Sequence, residues 1–320
     1  DAYVMVEILA SASCAAKRIG FLDPQPAVNT NHPFFWALVH ALKNPVALTS
    51  GVRHSFVSRL GNRRGASSIA PSARIGDDNR EPHTASYVFV RSEPDFVARL
   101  KEYRRQSGMK VSLPVLLMSS ICDSLRSSGV DIGDDIEVVT DLRKYLPEGR
   151  ATLANFVSVV SVQCRAGTSP QQLGAALAAE IDSMSPLVNA VGSLGVAVLR
   201  RLWAARSRVR RQSPPATARR PSKRVVVSFS DLTKLPMDTR VQWADPGIAE
   251  LAVALPFTSP SRVSLSVLAL RGEIQVTAAF SADHVDPSIM RQALHRALRL
   301  EFVEDRGWTA RGVAGDNASG

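Results

Sequence analysis

The chain has 320 residues, 45% of them hydrophobic and 21% charged, which is material for one large domain or two medium ones. Its net charge of +10 is concentrated in one stretch, because ten basic residues and no acidic one lie from Arg200 to Arg224 and the remainder is neutral. That confinement excludes a generally basic fold, and without interleaved aromatics or a known module the stretch does not read as a nucleic-acid surface.

Residues 2–16 are expected to form a helix, with Ala2, Met5, Val6, Leu9 and Ala10 on one face, ended by Asp23-Pro24-Gln25-Pro26. A second helix is expected from Phe34 to Leu42 and a third from Val52 to Leu60. The Gly-, Ser-, Arg- and Asp-rich stretch 61–83 reads as a linker. Thr84 to Arg91 is a predicted strand. A helix follows, with Pro94 near its first position, Phe96, Leu100 and Tyr103 on its buried face and Gly108 as its stop. Leu113, Leu116, Leu117, Ile121 and Leu125 mark the next helix, which Gly129 ends. Strands are expected at 136–142, 156–162 and 224–229, and a helix from Ser169-Pro170 to about Met184. Residues 186–211 read as one long helix, apolar first and basic last. Two alternating strands joined at Arg271-Gly272 form a hairpin, and Asp286-Pro287 opens the last helix. The tail 311–320 reads as disordered.

Cys14, Cys122 and Cys164 are far apart, form no CxxC pair and lack zinc-ligand spacing, so free thiols in or near the core are expected and no metal. The sequence has no GxGxxG, P-loop, HExxH or GxSxG pattern.

The order of several segments carries a resemblance. The chain opens Asp1-Ala2-Tyr3-Val4-Met5-Val6-Glu7-Ile8-Leu9. Further on come Val138-Val139-Thr140-Asp141-Leu142-Arg143, Leu153-Ala154-Asn155-Phe156-Val157-Ser158 and Val225-Val226-Val227-Ser228-Phe229-Ser230-Asp231-Leu232. In order and spacing these resemble the wax ester synthase/diacylglycerol acyltransferase family, related to chloramphenicol acetyltransferases and peptide-synthetase condensation domains. Ala2, Ala154 and Phe229 depart from the family's Gly, Gly and Asn.

The resemblance implies an α/β, chloramphenicol acetyltransferase-like fold of two subdomains. Residues 1–60 would be the remnant of an incomplete first subdomain and 84–310 the second. It implies O-acyl transfer from acyl-CoA, a co-substrate, to an alcohol or diacylglycerol, with no metal or organic cofactor. The alternatives are a condensation or polyketide-associated acyltransferase with a carrier-bound donor, or a non-catalytic member that binds lipid or a partner. Asp1 would be the structural Asp of the HHxxxDG signature, whose second His is the general base. That base would lie outside the sequence, so residues 1–320 are expected to be inactive. None of His32, His40, His54, His83, His284 and His295 stands in an HxxxD pattern.

Asn155 and Ser228 match positions that the family turns toward its tunnel, with turn or strand-end capping as the alternative for each. Arg143 would face the CoA, or else be an exposed strand-end arginine. Ser230 and Asp231 read as an Asx-type turn. Trp203, Arg200, Arg201, Arg206 and Arg208 follow an apolar helical face and suit an anionic membrane surface, with a core-packed helix and solvated basic end as the alternative. A cytoplasmic location, peripheral on the inner membrane face, is the matching expectation.

Overall fold

A computed structural model describes residues 28–29, 32–61, 84–152, 156–193, 224–235, 251–257 and 259–299. The expected helix 2–16, Asp1, Asn155, nearly all of the linker, the basic stretch with Trp203 as far as Lys223, and the tail lie outside these residues.

Two long strands anchor the architecture. Strands β7 (Arg262–Leu270) and β8 (Glu273–Ser281) pair antiparallel around Arg271 and Gly272, whose φ values of 55° and 81° make the two-residue turn that fits strand twist. Alternation at Val263, Leu265 and Val267, and at Ile274, Val276, Ala278 and Phe280, puts seven apolar side chains into one core. On one side β8 pairs antiparallel with β2 (Ala85–Arg91). On the other, β7 runs parallel to β6 (Val225–Asp231), β6 parallel to β3 (Ile132–Asp141), and β3 antiparallel to β5 (Val157–Gln163). The six-stranded order is β2-β8-β7-β6-β3-β5. A two-residue parallel pair, β1 (Val28–Asn29) with β4 (Arg150–Ala151), is separate.

Helices close the apolar face of the sheet. Helix α4 (Leu113–Ser127) is buried along most of its length and packs on α7 (Pro287–Arg299), where the Ser120 hydroxyl donates to the Ala297 carbonyl at 2.9 Å. Before α4 runs α3 (Phe96–Gln106), which buries Phe96 and Leu100. Helix α5 (Pro170–Asp182) starts with a complete capping box between Ser169 and Gln172. Its Gly174 lets the chain approach α4 and the residues before it, because an added Cβ would lie 3.3 Å from Val111 and 3.6 Å from Val115 of α4.

A second, smaller core gathers α1 (Pro33–Ala41), the chain just after β3 and a further helix, α6, described over residues 185–193. Ala37, Ala41, Leu142, Tyr145, Leu146, Phe156, Met184 and Leu187 meet there. The ring of Phe34 stands edge-on to Phe156 at 4.7 Å, and the Arg150 guanidinium covers Trp36 at 3.4 Å. Helix α2 (Pro45–Gly61) lies against α5 so closely that a Cβ on Gly51 would sit 2.2 Å from the Ser183 carbonyl oxygen.

Several boundaries move from their sequence expectation. Helix α2 starts at Pro45, because that proline opens a helix where the sequence suggested a break, and it takes Gly61 from the linker. Pro94 precedes α3, whose N-cap is Asp95, and the first turn holds no acid. Strand β3 starts at Ile132, passing through Gly133-Asp134-Asp135, where its register against β6 shifts. Of the expected helix 186–211, residues up to 193 are described. Leu187 and Ala190 are buried in the second core, so its apolar start is packed. Among the described residues no helix is long and apolar enough to cross a membrane.

Candidate functional site

Strand alternation gives the sheet two chemically different faces. The face under α4 and α7 is aliphatic. The opposite face is hydroxyl-rich because serine occupies every second position of V-S-F-S in β6 and V-S-L-S in β7. Cross-strand register makes two rows of these residues. Ser161, Glu137, Ser228 and Ser264 lie side by side across β5, β3, β6 and β7, ending on Ala279 and Tyr87. One step along, Val159, Val139, Ser230, Ser266, Thr277 and Phe89 form the next row. Ser228, Ser230, Ser264, Ser266 and Thr277 are all buried.

Ser228, singled out from sequence, therefore sits in the middle of a strand, and strand-end capping is not its role. Its neighbour Glu137 is buried and holds Arg262 through two contacts, 2.8 Å and 3.1 Å. Burial raises the Glu137 carboxyl above its ordinary value, and the Arg262 charge only partly opposes this. Part of this face is covered by the extended segment 251–257. The Ser266 hydroxyl donates to the Val253 carbonyl, and the Leu251 amide donates to the side-chain oxygen of the buried Gln275 at 3.3 Å.

Charged groups collect where β3 and β6 end. Arg143 lies in a 3-10 turn directly after β3, partly buried, so it is not an exposed strand-end arginine. Its Nε donates to the Thr152 carbonyl at 3.1 Å, and its Nη1 reaches Asp141 at 3.2 Å. Asp141 also accepts from the Arg143 amide at 2.9 Å, and burial raises its carboxyl. Next to it, burial lowers the Lys144 ammonium to about 8, against the pull of Asp182 and Asp141. Its Nζ lies 4.8 Å from the centre of the Tyr145 ring. On the neighbouring strand the expected Asx turn is present: Asp231 accepts from the Thr233 amide and hydroxyl at 3.0 and 2.7 Å.

The structure thus brings Arg143 to the end of β3 and Ser228 to the interior of the same sheet. Asn155, Asp1, Trp203, Arg200, Arg201, Arg206 and Arg208 fall outside the described residues. Sequence reading passed over Glu137, Lys144, Arg262, Ser264 and Ser266. The two-residue serine period in β6 and β7 was the available signal for the serines. The Glu137–Arg262 pair joins residues 125 positions apart, which spacing cannot reveal.

This arrangement offers a buried row of hydroxyl donors and acceptors, with a cation–carboxylate pair at one side and the Lys144 ammonium, lowered to about 8, just after β3. Among the described residues no group of three or more His, Cys, Asp or Glu is placed to hold a metal ion.

No protein-family model matches the chain, and no curated protein matches it. Solved structures with a similar course include VibH, a nonribosomal peptide synthetase condensation enzyme, at 12% identity and TM-score 0.48, covering 97% of this chain and 69% of that one. The PapA2 acyl transferase is similar at 15% identity and TM-score 0.43, over 72% of this chain and 46% of that one. The nonribosomal peptide synthetase FmoA3 is similar at 18% identity and TM-score 0.43, over 68% of this chain and 21% of that one. The chain therefore spans about a fifth of FmoA3 and less than half of PapA2. The mixed α/β architecture with its six-stranded sheet rests on the chain's own strand pairing.

Proposed function

We propose that the chain belongs to an acyl-transferring protein and that the serine-lined face of the sheet, centred on Ser228, receives the acyl donor. The supporting observation is the chemistry of that face: buried hydroxyls in register across β6 and β7 beside Glu137 and Arg262, on the side of the sheet away from α4 and α7. Hydroxyl donors held in a water-poor site stabilise charge that develops on a thioester oxygen. Of the segments that carry the family resemblance, three run along β3, into the start of β5 and along β6, strands that form part of this face.

In the finer reading the donor is a fatty acyl-CoA and the acceptor a long-chain alcohol or diacylglycerol. Arg143 lies on the donor's phosphate side, and two subdomains contribute to the whole protein. No metal or organic cofactor takes part. No histidine of residues 1–320 stands in an HxxxD pattern, and in this reading these residues bind donor without turning it over. The basic stretch that holds Arg200, Arg201, Trp203, Arg206 and Arg208 rests on anionic lipid in this reading.

The test offers the chain one labelled fatty acyl group as its CoA thioester and, separately, on a carrier protein. Bound donor and ester product are measured with a long-chain alcohol and with diacylglycerol present. Saturable binding of the CoA thioester without ester is the expected result. Binding of the carrier-bound donor alone would move the chain to the condensation-type reading. Ester formation would place a base within residues 1–320, and binding of neither donor would refute the proposal.

A further inference from the structure

Gln275 lies in the middle of the sheet, and one half of its side-chain amide is unused. It alternates on β8 with Ile274 and Val276 of the aliphatic core, so it faces the serine-lined side together with Thr277. The residue is 2% exposed. Its Oε1 accepts from the Leu251 amide at 3.3 Å, whereas its Nε2 is enclosed and has no hydrogen-bond partner. A buried donor left unpaired destabilises a fold, and such groups are rare. Segment 251–257 lies over this part of the face. Leu251, Val253, Leu255 and Phe257 are half-buried and Ala252, Ala254 and Pro256 are exposed, the alternation of an extended chain with one side against the sheet. Among the described residues it joins no strand ladder. Side-chain hydrogen bonds hold it, from Ser266 to the Val253 carbonyl and from the Leu251 amide to Gln275.

We propose that Gln275 is a ligand-binding residue: its Nε2 donates to an amide carbonyl of the arm that carries the acyl group, once that arm has entered between segment 251–257 and the sheet. The inference rests on the acyl-donor reading of this face. Register sets the position. Ser228 pairs with Ser264 and Ser264 with Ala279, and Gln275 is four residues from Ala279 along β8. Gln275 is therefore about 13 Å along the strands and about 10 Å across them from Ser228. A thioester carbonyl centred at Ser228 does not reach that far, and a fatty chain has no acceptor to offer. The amides of the extended arm supply one. Strand β3 runs parallel to β6 and β7, and β8 runs against them. The turn with Arg143 after β3 and the start of β8 with Gln275 are thus at the same end of the sheet. An arm laid along the strands from Ser228 toward that end passes Gln275 before its phosphate comes level with Arg143. The incoming carbonyl pairs the unused donor, and the strap gives up two side-chain hydrogen bonds and no strand pairing. A CoA thioester and a carrier-bound acyl group have this amide-bearing arm in common.

The test measures how tightly the 320-residue chain binds one octanoyl group in three forms: as its CoA thioester, on a carrier protein, and as the methyl thioester, which has no arm. Gln275→Met, checked for folding by circular dichroism, should bind the CoA thioester roughly tenfold more weakly than the unsubstituted chain and the methyl thioester equally well. The same loss seen with the carrier-bound group alone would keep the role of Gln275 and assign the arm to a carrier. Unchanged binding of both arm-bearing forms would overturn the proposal. So would an equal loss with the methyl thioester, which marks a role in the fold instead. Binding of no form by the unsubstituted chain would refute the acyl-donor reading itself, and this inference with it. If Gln275→Met does not fold, Gln275→Glu decides, because at neutral pH it keeps the oxygen that Leu251 uses and lacks the N–H donor.

Discussion

Glu137 illustrates how one buried side chain ties stability to the candidate site. Its carboxylate is held by Arg262 at 2.8 and 3.1 Å, yet burial raises its proton affinity above the ordinary value of 4.5. The folded chain therefore binds this proton more tightly than the unfolded chain does. In the window from about 4.5 up to the raised folded value, stability falls as pH rises, and above it the full penalty is present. Denaturant midpoints measured across that window should fall more steeply for the unsubstituted chain than for Glu137→Gln. Equal slopes would refute the assignment. Removing only the cation leaves a buried charge unpaired, so Arg262→Leu should cost about 3 kcal/mol of unfolding free energy. The double replacement Glu137→Leu with Arg262→Leu should recover most of that loss.

At the level of single elements, the strongest sequence signals were those in which local chemistry and burial agree. The β7–β8 hairpin was legible because alternation and Arg271-Gly272 point the same way, and α5 because Ser169-Pro170 both caps and starts it. Strand β3 was read short because Gly133-Asp134-Asp135 breaks the apolar alternation just where the register shifts. Helix α2 was read short because a proline at a helix start and a proline at a helix end look alike in one sequence. Two replacements probe these elements. Ser169→Ala removes one half of the capping box and should lower stability by about 1 kcal/mol, read from a denaturant curve. Gly51→Ala pushes a methyl group into the Ser183 carbonyl, where the backbone cannot yield cheaply. It should cost about 1–3 kcal/mol and loosen α2 from α5, visible as faster amide exchange in both helices.

Across the whole molecule, the sheet separates two kinds of chemistry. One side is an aliphatic core beneath α3, α4, α5 and α7. The other is the serine-lined face with Glu137 and Arg262. The second core fastens α1 to the end of β3, which covers Phe34 and Trp36 and leaves Phe35 58% exposed. Phe156 shields Phe34 and the Arg150 guanidinium shields Trp36. The site was less legible than the fold. Ser228 and Arg143 could be named because they lie in segments with a recognisable pattern. Glu137 with Arg262 is a long-range pair that only folding brings together. The most direct test of the account loads the chain with a photoreactive fatty acyl-CoA and maps the crosslinked peptides, alongside Ser228→Leu. Crosslinks on β6, β7 and the β3 segment that holds Glu137, lost in Ser228→Leu while the variant still folds, are the predicted result. Crosslinks confined to α4 and α7, or a pattern unchanged by Ser228→Leu, would contradict it.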